Sequence, residues 1–340
     1  MKKLTAILLS VLMLLAAAGH ASPVKYGQND KPVTFFGYVM GDFEGSHTAD
    51  WISFSSSDPS EITAYDSLIS TYAAAYYEGR VYGYNYGYTE DGVLIDFFYV
   101  MDCKDHSIEF VEGAGSGGEF VYGMAYNYAD NTMYALCDED HPYIASVDLE
   151  TGALTEKVEI ALGNLLGVQT LAIDGEGNFY LLSFSAVNSV LYRLNVTTGA
   201  MTAVMQTNMP CFYAQSMTWD HATDKLYWAH VNERSSVTNG LYEFDLEAGS
   251  LSYLGMIGGG MEIMCLFTES APESAFLRGD INGDGSVDSS DALLALRLAM
   301  GTVSSEGLCI EAGDLDGDGS VTSEEALLIL RYAMGLSDTL

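Results

Sequence analysis

The sequence predicts an all-β domain closed as a five-bladed β-propeller, followed by a small C-terminal α-helical domain. Three observations predict this. A strand–turn–strand pattern recurs four times in the middle of the chain. Part of a further repeat stands at each end of that region. One acidic loop leading into one apolar helix is then written twice at the C-terminus.

The recurring segments are Ala74–Gly83, Met124–Ala135, Leu171–Leu181 and Met217–Trp228. Each reads as an apolar strand, a polar turn and a strand centred on an aromatic residue. Three continue into a third strand and a glycine turn, at Ser146–Leu154, Arg193–Met201 and Glu243–Leu251, and Tyr99–His106 is a degenerate version. The step read from Met124, Leu171 and Met217 is about the 40–50 residues of a four-stranded blade. Helical periodicity is absent, and the Tyr, Val, Phe and Thr content suits strands. At the ends, Glu262–Thr268 matches a first strand, whereas Val33–Met40 and Asp50–Ser56 match later strands. Joining them makes a fifth blade from both ends of the chain and removes the open sheet edges. A β-sandwich is the competing arrangement for so many short strands.

The flanks set the domain limits. Lys2 and Lys3, an apolar run from Leu4 to Ala18 and the small-residue site Gly19-His20-Ala21 predict a signal peptide over residues 1–21. The run is short for a membrane span, and Ser22-Pro23 follows in place of a basic flank. The expectation is export, to the medium or the cell surface, with no membrane insertion after cleavage. The propeller domain is assigned to residues 22–269, a polar linker to 270–277 and the helical domain to 278–340. Acidic residues number 47 against 13 basic, a net charge of -34, which excludes nucleic acid and anionic membranes as partners. Cys103, Cys137, Cys211, Cys265 and Cys309 are odd in number and widely spaced, so buried free thiols are expected rather than a disulfide framework. No CxxC or HExxH motif supplies a transition-metal site.

The doubled loop runs Asp280–Asp291 into Ala292–Gly301, and again Asp314–Glu325 into Ala326–Gly335. Oxygen-bearing side chains fall at loop positions 1, 3, 5, 9 and 12, with glycine at position 6. A hard cation takes six to eight oxygens, and the chain must turn sharply at the sixth residue, so the pattern predicts two Ca2+ sites. Carboxylates crowded this closely repel one another without a cation, so metal binding should drive folding of this domain. Leu293, Leu294 and Leu298 in one helix, with Leu327, Leu328 and Leu330 in the other, are expected to pack the pair.

Residues 278–340 resemble a type I dockerin, the module that plugs bacterial enzymes into cohesin-bearing scaffold proteins. The loops lack the entering helix of a full EF-hand, and Asp291 fills position 12 as dockerins prefer. The resemblance implies Asp280, Asn282, Asp284, Asp288 and Asp291 as ligands in the first loop, with the carbonyl of Ser286. In the second it implies Asp314, Asp316, Asp318, Thr322 and Glu325, with the carbonyl of Ser320. Glu325 departs from the family's usual aspartate. The cohesin-reading positions correspond to Ser289 and Ser290 in one copy and Ser323 and Glu324 in the other. Farther along, Leu296 and Arg297 match Leu330 and Arg331. The copies are therefore not fully interchangeable. A cohesin partner and a place in a cellulosome-like or cell-surface complex are what the resemblance implies.

In a propeller the first strand of each blade lines the central channel. The repeats place Tyr72, Tyr122, Gln169, Gln215 and Glu262 at matching positions there, where they would hydrogen-bond a sugar or hold water. Glycoside hydrolysis needs two acids about 5–10 Å apart. Glu262 is the weak catalytic candidate, with Glu119, Asp174 and Asp220 less well placed, and the last two begin turns and are expected to cap them. The tyrosine-dense stretch Tyr82–Tyr88 suits either sugar stacking or packing between blades. Trp51, Trp219 and Trp228 read as core, and His106, His141 and His221 as turn residues. The expected function is a non-catalytic carbohydrate- or protein-binding propeller delivered by its calcium module. The alternatives are a glycoside hydrolase of polysaccharide degradation carried the same way, and a calcium module that merely caps its own propeller.

Overall fold

A computed structural model describes residues 31–42, 51–65, 69–88, 91, 94–111, 115–138, 140–211, 215–231, 239–272, 277–305, 307–316, 319–337 and 340. The signal-peptide assignment, residues 22–30, residues 273–276 of the linker and Asp318 lie outside the described residues. The chain divides into two compact units between Ala271 and Pro272.

The first unit is a five-bladed propeller of antiparallel four-stranded sheets. The N-terminal strands are β1 (Thr34–Asp42), β2 (Trp51–Ser55) and β3 (Asp58–Tyr65). Four complete blades follow. The first holds β4 (Ala73–Tyr77), β5 (Arg80–Tyr88), β6 (Leu94–Asp102) and β7 (Ile108–Phe110). The second holds β8 (Val121–Asn127), β9 (Thr132–Cys137), β10 (Tyr143–Val147) and β11 (Leu154–Glu159). The third holds β12 (Val168–Ile173), β13 (Phe179–Ser183), β14 (Val190–Leu194) and β15 (Met201–Gln206). The fourth holds β16 (Ser216–Asp220), β17 (Lys225–His230), β18 (Gly240–Asp245) and β19 (Ser250–Gly255). The last strand, β20 (Met261–Phe267), pairs with β1 in the sheet order β20-β1-β2-β3, so the fifth blade is built from both ends of the region.

The closure has a steric requirement at one residue. Phe36 stands opposite Phe267 and Val39 opposite Ile263 across the β1–β20 ladder. Between them, a Cβ on Gly37 would lie 2.5 Å from the Ile263 Cγ2 atom, so only glycine lets the two strands approach this closely. The apolar core lies between blades. Phe35 and Phe54 of the closing blade pack with Tyr227 and Leu241 of the fourth, the Phe35 and Tyr227 rings meeting edge to face at 4.9 Å. Tyr84 and Phe98 of the first blade pack with Met124 and Met133 of the second. The Asp-Leu-Glu-Thr-Gly turn after β10 is closed by its aspartate, because Asp148 Oδ1 accepts the N–H groups of Glu150 and Thr151 at 2.9 Å each. Asn195 repeats this in the third blade.

The C-terminal unit holds α1 (Ser289–Ala299), the one-turn α2 (Ile310–Gly313) and α3 (Ser323–Ala333). The repeated sequence yields repeated boundaries. Asp288 with Asp291, and Thr322 with Glu325, form reciprocal capping boxes at the two N-termini. The Met-Gly pairs end the helices, with Gly301 and Gly335 in the left-handed region and Thr302 and Leu336 donating back to the carbonyls of Arg297 and Arg331. The face that packs this unit differs from the leucine stripe expected above. Ala292, Ala295, Ala326 and Ile329 are buried with Ile281 and Leu315, and Leu294, Leu298 and Leu330 are partly covered. Leu293, Leu327 and Leu328 are exposed. Small residues at the contact let the helices approach closely and turn the larger leucines outward.

The five cysteines are free: Cys137, Cys211 and Cys265 are buried, while Cys103 and Cys309 are only partly so. Among the described residues no helix is long and apolar enough to cross a membrane.

Candidate functional site

The two acidic loops are organised around their position-1 and position-12 carboxylates. In the first, Asp280 Oδ1 accepts the N–H groups of Gly283 (2.8 Å) and Asp284 (3.1 Å), and Oδ2 accepts that of Gly285 (2.7 Å). Asp291 Oδ1 accepts Asn282 N–H at 3.2 Å and Oδ2 accepts Asp288 N–H at 2.9 Å. Asp291 is 0% exposed and Asp280 3%, a degree of burial that carboxylates rarely reach without strong compensation. In the second loop Glu325 is equally buried. Its Oε1 accepts Leu315 N–H and its Oε2 accepts Thr322 N–H at 2.6 Å, so the position-12 residue ties loop to helix in both copies. Gly285 and Gly319 hold φ of +84° and +88° with open space around a notional Cβ, so the requirement for glycine at position 6 is conformational.

Oxygens of Asp314, Asp316 and Glu325 lie within 4.8 Å of one another, a donor set of hard carboxylates that fits Ca2+. Glu325 is buried, Asp314 half-buried and Asp316 exposed, so the set opens from the helix start toward solvent. Asp288 and Thr322, both at position 9, act as helix N-caps. Asp288 Oδ1 accepts Ser290 N–H at 2.7 Å, and the hydroxyl and N–H of Ser290 hold its carboxyl below the usual carboxylate range. Thr322 Oγ1 accepts Glu325 N–H at 3.5 Å. Asp284 Oδ1 takes Ser286 N–H at 3.0 Å and Asn282 Oδ1 takes Asp284 N–H at 2.8 Å, so both side chains close local turns of the loop. Of the partner-facing candidates, Ser289, Ser290, Leu296, Arg297, Ser323, Glu324 and Arg331 are exposed, whereas Leu330 is partly covered by the helix core. Sequence reading missed Leu293, Leu327, Met300 and Met334 as outward apolar groups. The signal was there in the alanines, whose spacing marks the inner face and leaves the large residues outside.

The propeller axis is constricted by an apolar belt of Ala74, Met124, Leu171, Met217 and Leu266, which lines a cavity at each end. One cavity brings together Tyr72, Tyr122 and Gln215 of the expected set, with Thr170 and Cys265 from the third and fifth blades. Gln169 and Glu262 do not line it. Gln169 pairs with Leu182, and Glu262 pairs with Gly41 nearer the start of β20. The physical reason is a pair of bulges. β12 and β20 carry register shifts where Thr170 and Cys265 adopt φ of +52° and +56°. In β20 both Met264 and Leu266 satisfy the alternating apolar pattern, and Leu266 is the one in the belt. Gln215 is committed to structure: its Nε2 donates to Val231 O at 2.7 Å, and its Oε1 accepts Trp228 Nε1–H at 2.8 Å. Tyr72 is 38% exposed and backed by the rings of Phe120 and Tyr86 at 5.4 and 5.7 Å.

The opposite cavity is lined by aromatic residues, including Tyr76, Tyr126, Tyr128 and Trp219, with His221 and Ser270. His221 thus faces a channel mouth, which its turn-like sequence context did not reveal. Burial lowers its imidazole below the ordinary histidine range, against the pull of Asp220, Asp174 and Asp224. Asp174 and Asp220 cap turns. Asp174 accepts the N–H groups of Glu176 (3.0 Å) and Asn178 (2.8 Å) and the Tyr180 hydroxyl (3.1 Å), and Asp220 accepts Thr223 N–H at 2.9 Å. Glu119 is exposed, its carbonyl taking the Tyr86 hydroxyl at 3.0 Å. Among the described residues the linings of both axial cavities contain no carboxylate. Tyr82 and Tyr84 pack in the core between blades, as do Trp51 and Trp228 in their own, whereas Trp219 is half-buried.

The structure thus joins a five-bladed propeller to a unit of two acidic loops, each leading into a capped helix. Residues 278–333 match the family model described as the Dockerin type I domain. No curated protein matches the chain. Among solved structures, a bifunctional GH43-CE protein of Bacteroides eggerthii is similar at 12% identity and a TM-score of 0.44, over 75% of this chain and 36% of that one. TolB from Acinetobacter baumannii is similar at 12% identity and a TM-score of 0.41, over 65% and 53%. A protein of unknown function from Bacteroides caccae is similar at 9% identity and a TM-score of 0.38, over 65% and 72%. The chain thus spans less than two thirds of the first two of these, and likeness at such identities concerns the fold alone.

Proposed function

We propose that this chain is a secreted, calcium-binding component of a cellulosome-like or cell-surface complex, with a propeller that acts as a non-catalytic carbohydrate- or protein-binding module. The observation that carries the first half is the doubled loop, whose buried Asp291 and Glu325 each tie a metal loop to a capped helix. Each loop takes one Ca2+. The cation fixes the loop, the loop fixes the helix start, and the helices then present Ser289, Ser290, Leu296 and Arg297, with Ser323, Glu324, Leu330 and Arg331, to a cohesin domain. Family resemblance over residues 278–333 supports cohesin as the partner.

The second half is supported by the axial cavities. Hydrolysis of a glycosidic bond needs two facing carboxylates, and the described linings offer tyrosines, a histidine and hydroxyls instead. Glu262, the first acid candidate for that chemistry from sequence, lines neither cavity, and nor do Glu119, Asp174 and Asp220. The test is a panel of soluble glycans scored for binding and for turnover with the natural chain and Glu262→Gln. Binding without turnover is expected in both; turnover that disappears in Glu262→Gln overturns the non-catalytic reading.

A further inference from the structure

We infer that Asn282-Gly283 is a self-deamidation site, held in check while the first loop is ordered, whose products alter the calcium site it belongs to. The inference rests on the reading of these loops as calcium sites and adds to it a covalent modification. Asn-Gly occurs twice in the chain, as Asn239-Gly240 and Asn282-Gly283. Such a pair is reactive because glycine has no Cβ to hinder its own amide nitrogen or to restrict the backbone that must bend for the attack. The step is intramolecular, so a flexible pair needs no enzyme. The Gly283 nitrogen gives up its proton to solvent and attacks Asn282 Cγ. The new N–Cγ bond closes a five-membered imide, the Cγ–Nδ2 bond breaks, and the amide leaves as ammonia after taking up a proton. Water then opens the imide at either carbonyl, leaving an aspartyl residue or an isoaspartyl linkage in which the chain runs through Cγ.

The two pairs are held by different means. Asn239 is buried, Gly240 stands opposite His230 in the β17–β18 ladder, and a Cβ on Gly240 would lie 2.2 Å from the Gly255 carbonyl oxygen. That pair has no room to bend. Asn282 is half-buried, and Gly283 is exposed with open space around a notional Cβ. Hydrogen bonds hold this pair instead. Gly283 N–H donates to Asp280 Oδ1 at 2.8 Å, Asn282 Oδ1 accepts Asp284 N–H at 2.8 Å, and Asn282 N–H donates to Asp291 Oδ1 at 3.2 Å. The first bond protects most, because a carboxylate on the Gly283 N–H opposes loss of that proton beside a negative charge. All three exist only in the ordered loop, and crowded carboxylates oppose that order when no cation is bound. The repeat gives the products their meaning. The second loop has Asp316-Gly317 where the first has Asn282-Gly283, so the aspartyl product carries the second loop's acid at position 3. The isoaspartyl product adds a backbone atom to a loop whose ligands are set by residue spacing, and the site is lost.

The test is incubation of the full chain at neutral pH in saturating calcium and in excess chelator. Mass analysis then follows peptide 279–297, whose only asparagine is Asn282, and the segment carrying Asn239. A free peptide of residues 279–297 reports the unrestrained rate. Amide-to-acid conversion of Asn282 is expected in chelator at a rate near that of the free peptide. In calcium it should be at least about tenfold slower, because a ligand that binds only the ordered loop lowers the opened population by mass action. Asn239 should stay unconverted in both, and Gly283→Ala should slow the chelator rate severalfold. Calcium titration of the aged chain should show the first site lost in the isoaspartyl fraction, while Asn282→Asp keeps both sites. Asn282 left unconverted in chelator while the free peptide converts overturns the inference, as do equal rates in calcium and chelator, or a Gly283→Ala rate equal to the natural one. Calcium titration of the fresh chain separates the two readings: two filled sites with equal rates sinks this inference alone, whereas no calcium binding sinks the reading of the loops as well.

Discussion

Replacing Asp291 by Asn keeps the shape of the side chain and removes its charge at the position where loop and helix meet. As a carboxylate, Asp291 accepts two backbone N–H groups, from Asn282 at 3.2 Å and Asp288 at 2.9 Å, while fully buried. An amide presents one acceptor and one donor, so one of those bonds is lost outright and the other becomes neutral. Hydrogen bonds to charged groups contribute about 1.5–3 kcal/mol and neutral ones about 0.5–1.5 kcal/mol. The combined loss is therefore about 3 kcal/mol, on the order of a hundredfold in an equilibrium constant. The proposed role of Asp291 as a charged calcium ligand adds to it. Isothermal titration of the full chain with calcium should show the first loop weakened by at least about a hundredfold, while the second loop is unaffected. Ser289→Ala, on the exposed side of the same turn, should change neither. Two sites of unchanged affinity in Asp291→Asn would refute the ligand assignment.

Other outcomes follow from the same geometry. Gly285→Ala forces an L residue to φ of +84° and should destabilise the C-terminal unit by about 1–2 kcal/mol, seen as faster amide exchange over residues 278–305 in calcium. Gly37→Ala drives a Cβ against Ile263 in the closing blade and should cost about 1–3 kcal/mol in denaturant unfolding of the propeller; an unchanged midpoint contradicts the closure described here. Trp228→Phe leaves the buried Gln215 Oε1 without its indole donor and should cost about 1–3 kcal/mol by the same measurement. Asp148 is held below the usual carboxylate range, chiefly by the N–H of Thr151. Its folded pKa is depressed, so its contribution to the β10–β11 turn is present above the unfolded value of about 3.9 and is lost as pH falls through the folded one. The protection of Thr151 N–H, its exchange rate relative to an unstructured peptide at the same pH, should fall only in that acid window.

The blades were legible because each repeat writes the same local physics, an apolar strand, a polar turn with its own Asp or Asn cap, and an aromatic strand. The closing blade was legible from two incomplete repeats whose missing parts complement each other. The channel was legible only in part, since Tyr72, Tyr122 and Gln215 follow strand alternation from the belt residues. Thr170 and Cys265 do not, because a bulge inserts a residue that hydrophobic alternation cannot register, and the fifth blade was aligned on Met264 instead of Leu266 for that reason. In the C-terminal unit the doubled pattern placed both helices, but leucine content marked the packing face only in part, since Leu294, Leu298 and Leu330 pack inward while Leu293, Leu327 and Leu328 are exposed. Contact between helices was decided by small Ala292, Ala295 and Ala326, which carry little hydrophobic signal. His221 escaped notice as a functional candidate because its neighbours at the mouth come from other blades.

The central claim is that calcium builds the surface that addresses this propeller to its complex. It is tested most directly by measuring binding of the full chain to a panel of type I cohesin domains in calcium and again in excess chelator. Capture by at least one cohesin is expected in calcium and is lost in chelator, with the propeller's own unfolding transition unchanged. Binding that persists in chelator, or no capture by any cohesin of the calcium-loaded chain, would contradict it.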